Sequence, residues 1–125
     1  MSDNTPRVTE LKLHQVSRVL EVAFEDGTRQ DMTCEYLRVF SPSAEVRGHG
    51  PGQEVLQVGK ETVNINAIEP VGNYGVKLVF DDGHDTGIYS WTVLHELASG
   101  YESHWADYLA RLEAAGYKRQ EPPRD

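Results

Sequence analysis

Two stretches of the chain, residues 20–27 and 76–83, place an apolar residue at every second position and then end in Asp-Gly. Side chains at every second position lie on one face of a strand, so both stretches predict β-strands with that face buried. Asp-Gly supplies the positive φ angles that a tight hairpin turn requires. The apolar residues match at one fixed offset: Leu20 with Val76, Val22 with Leu78, and Phe24 with Phe80.

A returning strand is predicted after each turn, over residues 29–33 in the first copy and 85–89 in the second. At the same offset Met32 aligns with Ile88, which assigns equivalent positions to these two residues. Each stretch therefore predicts a complete antiparallel hairpin.

A short helical segment follows each hairpin, over residues 35–40 and 91–98, and each follows a residue in the capping position, Cys34 or Ser90. The chain thus predicts two hairpin-plus-helix units. Asp-Gly turns are common to unrelated hairpins, so shared turn chemistry alone would also produce this likeness. Both hairpins are predicted in either case.

Two weaker strands are predicted outside the hairpins. Residues 10–14 carry Leu11 and Leu13 on one face, and residues 63–68 alternate in the same way until Pro70 ends the strand. The second strand places Val63, Ile65 and Ala67 on one face and Asn64, Asn66 and Ile68 on the other.

The last predicted element is an amphipathic helix that begins after Ser103 as N-cap and ends at Gly116. The whole chain is predicted to be α+β: a small antiparallel β-sheet built from two hairpin-plus-helix units, with this C-terminal helix packed on it. The apolar stripe of the helix follows the i, i+3, i+4, i+7 spacing, with Trp105, Tyr108, Leu109 and Leu112.

Composition favours one folded domain of modest size. The chain has 125 residues, of which 38% are apolar and 26% charged, as in an ordinary globular domain. We expect a single domain over residues 10–116, with flexible tails over 1–9 and 117–125, where the sequence is polar and contains proline.

Charge and cysteine content narrow the class of function. The formal net charge of −8 argues against nucleic acid and against anionic membrane surfaces, which both select basic proteins. No apolar run is long enough to span a bilayer, and the polar start of the chain does not predict a signal peptide, so we expect a cytoplasmic protein. Cys34 is the single cysteine, which excludes an internal disulfide and predicts a small buried apolar side chain.

The segment from Ser41 to Gly59 is long and rich in glycine for a connection, and such loops are often functional. It does not match the phosphate-binding pattern, because Gly59 and Lys60 are followed by Glu61. Two interpretations stay open, a structural turn region and a binding surface. The candidate binding residues are Arg38, Arg47, His49, Gly50 and Gly52.

Candidate chemistry elsewhere is weak. Asp81, Asp82, Asp85 and His84 suggest a metal site, yet carboxylates at a hairpin tip are more often solvated turn residues. Residues 78–110 contain six acidic residues and neither Lys nor Arg. The negative electrostatic potential of these residues favours a basic protein partner. The other interpretation is an acidic surface that only keeps the protein soluble.

At residues 35–52 the chain resembles a known family, through the run LRVFSPSAEVRGHGPG. With residues 63–68, 74–80 and 88–91 it is similar to the gamma-butyrobetaine hydroxylase-like N-terminal domain, also called DUF971, over roughly residues 16 to 110. The resemblance implies a domain that precedes an iron(II) and 2-oxoglutarate oxygenase in carnitine synthesis, or is joined to ATPases of iron–sulfur assembly, or stands alone.

The resemblance also implies the positions of a structural zinc site in the hydroxylases, which is formed by three cysteines and one histidine. Those positions fall on Ser41, Ser43, Val46 and His84 here. Because serine hydroxyls do not replace thiolates and valine offers no donor, we predict no zinc and no other cofactor. An apolar core must then hold the fold, led by Phe24, Phe80, Trp91, Trp105 and Tyr108.

The resulting hypothesis is a non-catalytic protein-interaction or accessory module, with the resemblance implying a connection to iron–sulfur or cofactor metabolism. The oxygenase barrel of the hydroxylases is not encoded in 125 residues, so no enzyme is predicted. The alternative is a zinc or iron carrier or sensor that uses His84 with His49, Cys34 or the carboxylates of residues 81–85. A monomer that binds an unidentified protein partner is expected.

Overall fold

Each half of the chain folds into a three-stranded antiparallel sheet in the computed structural model, which describes residues 5–48 and 52–120. The first sheet has the order β1 (Val8–His14), β2 (Val19–Phe24), β3 (Arg29–Thr33). The second has the order β4 (Ile65–Val71), β5 (Gly75–Phe80), β6 (Ile88–Ser90). The helices are α1 (Cys34–Val39), α2 (Ala44–Arg47), α3 (Trp91–Ser99) and α4 (Tyr101–Ala114).

The predicted α+β class is confirmed, and the internal repeat is larger than the hairpins alone. Repeat 1 comprises β1, β2, β3 and α1, and repeat 2 comprises β4, β5, β6 and α3. The first strand pairs alike in each copy, because Val8 lies opposite Phe24 and Ile65 lies opposite Phe80. Both first strands also contain a register shift at this end. The single predicted sheet is therefore two equivalent sheets.

The prediction for the second returning strand was wrong in its bounds and in its inward residue. Leu20 pairs with Met32, twelve positions on, whereas Val76 pairs with Tyr89, thirteen positions on. Repeat 2 thus has one more residue between its paired positions, and residues 84–87 lie outside the strand. As a result Tyr89, and not Ile88, occupies the buried position equivalent to Met32. Ile88 is 43% exposed.

The predicted alternation in β4 was also wrong beyond Ile65. A register shift between Ile65 and Ala67 turns the following residues over, so that Ile68 lies opposite the buried Leu78 and packs on the core. The strand continues through Pro70 to its end at Val71. Proline has no backbone N–H to donate, and it is tolerated here because β4 is an edge strand, which has a neighbouring strand on one side only.

The main core is formed by both sheets and the helices that follow them, and a smaller apolar cluster contains Val39, Tyr108 and Leu112. Phe24 and Phe80, the matched residues of β2 and β5, are both at least 97% buried, and Tyr36 and Leu94 bring in α1 and α3. Of the residues predicted to lead the core, Phe24, Phe80 and Tyr108 are buried, whereas Trp91 and Trp105 are partly buried and pack against it.

The helix ends differ in part from the prediction. Thr33 caps α1 by accepting a hydrogen bond from the Tyr36 amide at 3.1 Å, so Cys34 is the first helical residue and not the cap. Ser90 caps α3 as predicted, with the Val93 amide at 3.1 Å from its hydroxyl. Ser103 lies inside α4, which follows Gly100 directly.

The C-terminal helix ends at Ala114, and Gly116, two residues on with a φ of 77°, lets the Tyr117 amide reach back to the Leu112 carbonyl at 3.0 Å. Tyr101 and Trp105 at its start pack against the main core. Leu109, predicted as part of the buried stripe, is 40% exposed.

Residues 117–120 are held against the body of the domain. The Tyr117 hydroxyl donates to both carboxylate oxygens of Glu61, at 2.9 and 3.2 Å, and Arg119 pairs with the buried Glu35. The Arg119 guanidinium also lies 5.2 Å from the Trp105 ring centroid. Across the described residues, no helix combines the length and apolar character that a bilayer span needs.

Candidate functional site

Five polar side chains join the segment after α1 to the connection between β5 and β6. Ser41 Oγ lies 2.9 Å from His84 Nε2, and Glu45 Oε2 lies 3.1 Å from His84 Nδ1. Thr86 Oγ1 lies 3.1 Å from Glu45 Oε1 and 2.7 Å from Ser43 Oγ. We call these five residues, Ser41, Ser43, Glu45, His84 and Thr86, the polar clasp.

Local turns place the members of the clasp. Ser43 is the N-cap of α2 and accepts from the Glu45 amide at 3.2 Å, which positions both residues at the start of that helix. Asp82 accepts from the His84 amide at 3.1 Å, an Asx turn that sets His84 just after the hairpin tip.

The hydrogen bonds of the clasp favour one tautomer of His84. Because a carboxylate only accepts hydrogen bonds, the tautomer with its proton on Nδ1 donates to Glu45. Nε2 then accepts from the Ser41 hydroxyl, whose oxygen in turn accepts from the Ser43 amide at 3.2 Å. Thr86 donates to Glu45 and accepts from Ser43, so every polar side chain in the clasp has a partner.

The order Ser41, His84, Glu45 is also that of a nucleophile, a base and an orienting acid. The surroundings do not suit that chemistry. Ser41 is fully buried, and a Cβ added at Gly87 would lie 2.4 Å from Ser41 Oγ, so backbone already occupies the space beside the hydroxyl. A substrate carbonyl has no approach to Ser41, and the arrangement reads as a structural network.

The clasp contains three of the four positions to which the family resemblance assigned a zinc site, and the fourth, Val46, is buried on α2 close by in sequence. The residues present do not fit a structural zinc. Two are neutral hydroxyls, one is a hydrocarbon, and both His84 nitrogens are engaged with Ser41 and Glu45. Among residues 5–48 and 52–120, no group of three His, Cys, Asp or Glu side chains could hold a metal ion.

Arg38, a predicted binding residue, is directed to the hairpin tip of repeat 2. Its side chain is only 8% exposed, and its Nε donates to Asp82 Oδ2 at 2.8 Å, where Lys60 also donates at 2.7 Å. Burial alone raises the pKa of Asp82, but hydrogen bonds from Lys60, the His84 amide and Arg38 outweigh it and lower the pKa to about 2. Asp82 is therefore an ionised anchor for two cations.

Cys34 is buried and unreactive in character. Burial raises the pKa of its thiol to about 11, so the thiolate needed for nucleophilic attack is scarce at neutral pH. Its Sγ lies 3.8 Å from Asn64 Oδ1. The predicted role of a small buried side chain fits this position.

A cleft of about 470 Å³ lies where the loop after α2 faces α3 and α4. One wall is formed by α2 and residues 54–57, and the other by side chains of the two helices. Its volume is within the range of sites that bind small molecules or peptide side chains. The apolar part of its lining includes Val39, Phe40, Val46, Val55, Leu97 and Tyr108.

The predicted binding residues separate in the structure. Arg47 is exposed and lines the cleft, whereas Arg38 lies at the hairpin tip and does not. Gly52 is exposed with a φ of 81°, a conformation that glycine adopts without strain. His49 and Gly50 lie outside the described residues.

Sequence reasoning missed the residues of the cleft that come from the helices, chiefly Glu96, His104 and Asp107, and it missed Glu45 and Thr86 in the clasp. A signal existed for Glu45, because an acidic residue follows the helix-capping Ser43. No local signal exists for the cleft, because its walls are distant in sequence.

The fold and site define a class of protein: a small α+β domain of two similar repeats, closed by a C-terminal helix. A family model described as gamma-butyrobetaine hydroxylase-like, N-terminal, matches residues 11–95. The chain belongs to this family.

Solved structures agree with this membership. One protein solved by NMR in solution is 56% identical over all of this chain and 95% of its own, with a TM-score of 0.82. A second NMR structure is 43% identical over 98% of this chain and 95% of its own, with a TM-score of 0.80.

A crystal structure from Acidithiobacillus ferrooxidans, of a protein with unknown function in the DUF971 family, is 38% identical. It covers 78% of this chain and 98% of its own, with a TM-score of 0.64. None of the curated proteins compared with the chain matches it.

Proposed function

We propose that this protein is a non-catalytic accessory module that binds a segment of a partner protein in the cleft. The observation that carries the proposal is that the glycine-rich loop forms one wall of a cleft of about 470 Å³ whose lining combines apolar side chains with charged ones. Long loops held on a rigid scaffold are where binding residues concentrate. Val55, on this wall, is 54% exposed although it is apolar.

The clasp supports the same function indirectly. It ties the start of the loop to repeat 2 through four side-chain hydrogen bonds, from Ser41 and Glu45 to His84 and from Ser43 and Glu45 to Thr86. A wall that is anchored in this way loses less conformational freedom on binding, which favours affinity. We propose that the module acts in the cytoplasm as a monomer and that it serves iron–sulfur or cofactor metabolism.

The experiment is site-specific photo-crosslinking in cells. A photoreactive residue at Val55 should yield the same crosslinked partner in replicate experiments, and a probe at Val16, which is 71% exposed on the connection between β1 and β2, should not. Arg47→Ala should reduce the Val55 product, with Arg7→Ala as the control. The proposal fails if both probes capture the same proteins, or if Val55 captures none.

The metal-carrier alternative receives less support. His84 is its central residue, and both ring nitrogens already have protein partners at 2.9 and 3.1 Å. Cys34, another donor considered, contacts Asn64 instead. Elemental analysis of protein purified without an affinity tag, with a thermal shift assay in zinc or iron, decides between the functions. Stoichiometric metal in that sample would favour the alternative.

A further inference from the structure

Some of the charged side chains around the cleft form ion pairs within the chain, and others do not. Asp107 pairs with Arg111 at 3.2 Å along α4. Glu54 and Glu96 line opposite walls, and among the described residues neither makes an ion pair. Arg47 is the one lining cation without an ion pair within the same described part of the chain. The cleft therefore offers two free carboxylates and one free guanidinium around its apolar lining.

The sequence around Glu96 adds further negative charge near the cleft. Glu96 belongs to the stretch 78–110, which has six acidic residues and no Lys or Arg, within a chain of net charge −8. The potential over the wall formed by α3 and the start of α4 is therefore negative, and it attracts cationic groups during encounter. Lys and Arg side chains of a partner are the groups that match Glu54 and Glu96.

The apolar lining requires a second property of the partner. Phe40 is partly buried, and Val55 and Val93 also line the cleft without being buried. Covering such surface releases water and favours binding by roughly 25 cal/mol for each Å² removed from solvent. A free amine or a metal ion cannot cover this surface, whereas a peptide segment with one apolar side chain can.

We infer that the partner segment is basic and carries an apolar anchor: a Leu- or Phe-like side chain rests on the apolar lining, flanked by Lys or Arg that meet Glu54 and Glu96. Arg47 then contacts a carbonyl or carboxylate oxygen of the same segment. This inference rests on the proposed function, because it assigns the chemistry of the ligand to the same cleft.

The test uses synthetic peptides and the whole chain, observed by amide chemical shifts. The basic probe is a short Gly/Ser peptide with a central Leu flanked by Lys. One matched peptide has Glu in place of Lys, and another has Ser in place of Leu. The basic probe should shift amides that line the cleft, at Val55, Glu96 and His104, and its affinity should fall as salt increases.

Two matched double variants localise the effect. Glu54→Gln with Glu96→Gln removes two negative charges from the cleft, and Glu102→Gln with Glu113→Gln removes two exposed charges of α4 that do not line it. The first pair should weaken binding of the basic probe roughly tenfold, and the second by less than about twofold.

The outcomes separate this inference from the function beneath it. If the Glu peptide binds in the cleft as tightly as the Lys peptide, or both double variants weaken binding equally, the basic partner is overturned while the cleft remains a binding site. If the basic probe shifts no cleft amide, the inference is likewise overturned. Failure of the Val55 crosslink is the result that removes the cleft's function itself.

Discussion

The hairpin turns of the two repeats have the same construction and yet serve different neighbours. Asp26 accepts from the Thr28 amide at 2.9 Å, and Asp82 accepts from the His84 amide at 3.1 Å. The glycines that follow have φ angles of 90° and 89°. In repeat 1 the chain enters β3 at Arg29 directly, whereas in repeat 2 the strand begins only at Ile88.

The connection before β6 supplies two residues of the polar clasp. Residues 85–87 lie outside the ladder that their counterparts 29–31 join, and His84 and Thr86 contact Ser41 and Ser43. Repeat 1 has no counterpart, since Thr28, the position equivalent to His84, is followed by ladder residues at once. The comparison teaches that the repeat supplies the core, and that local departure from the repeat supplies the contacts which organise the loop and the cleft.

The largest expected effect tests whether the two repeats contribute equally to the core. Phe24→Ala and Phe80→Ala should each lower the free energy of unfolding by about 3–5 kcal/mol, because both rings are buried in the shared core. The two values should agree within about 1 kcal/mol. Urea denaturation measures both, and a difference larger than 2-fold would show that one repeat dominates stability.

Substitution of the two turn aspartates, Asp82 and Asp26, should lower stability by different amounts, whereas substitution of the two turn glycines should not. Asp82→Asn removes the carboxylate that pairs with Arg38 and Lys60, and should cost about 2 kcal/mol, between the values for exposed and buried ion pairs. Asp26→Asn is the matched control and should have a smaller effect, because Asp26 contacts only Thr28 and, at 3.4 Å, His95. Equal effects would contradict the distinction.

The stability contribution of Asp82 should depend on pH. The pKa of Asp82 is lowered to about 2, so its contribution is present above the unfolded-state pKa of about 3.9 and is lost as the pH falls through about 2. The stability difference between the wild type and Asp82→Asn should therefore shrink between about pH 4 and pH 2. Urea unfolding at several pH values measures it, and a difference that stays constant would remove Asp82 as the source.

The clasp should contribute less than the ion pair but more than a surface hydroxyl. Ser41→Ala leaves the buried His84 Nε2 without its donor and should cost about 1–2 kcal/mol. Ser103→Ala, which removes an exposed hydroxyl from α4, should change stability by less than about 0.5 kcal/mol. Thermal unfolding compares them, and a Ser41→Ala protein as stable as the wild type would show that the clasp is dispensable.

The smallest effects should be equal in the two repeats. Gly27→Ala and Gly83→Ala place a side chain at a positive φ, which costs about 1–2 kcal/mol at most, and no heavy atom lies within 4 Å of either added Cβ to increase that cost. Denaturant midpoints measure both. A clearly larger loss at Gly83 would mean that the clasp constrains the turn as well as the residues after it.

Much of the fold was predictable because its signals are local. Alternation and Asp-Gly identified both hairpins, and Ser90 marked the start of α3. The errors occurred where one residue changes the register. The shift in β4 turned Ile68 inward, and the longer connection in repeat 2 replaced Ile88 by Tyr89 in the core. Periodicity assumes an unbroken strand, so a single insertion defeats it.

The site was predictable only in part, for a similar reason. The loop and Arg47 stood out by composition, whereas Glu96 and His104 had no local feature that linked them to it. Ser41 and His84 were paired through family resemblance, and their separation of 43 positions conveys no contact by itself.

By itself the sequence determined the two hairpins, the helices that follow them and the family, since strand alternation, turn residues and motifs act over a few neighbouring positions. Only the tertiary structure decided that the hairpins extend into two three-stranded repeats with one main core, and that the loop faces α3 and α4 across a cleft. These features depend on side chains distant in the chain. Their proximity arises from burying both sheets together, a cooperative property that no short segment encodes.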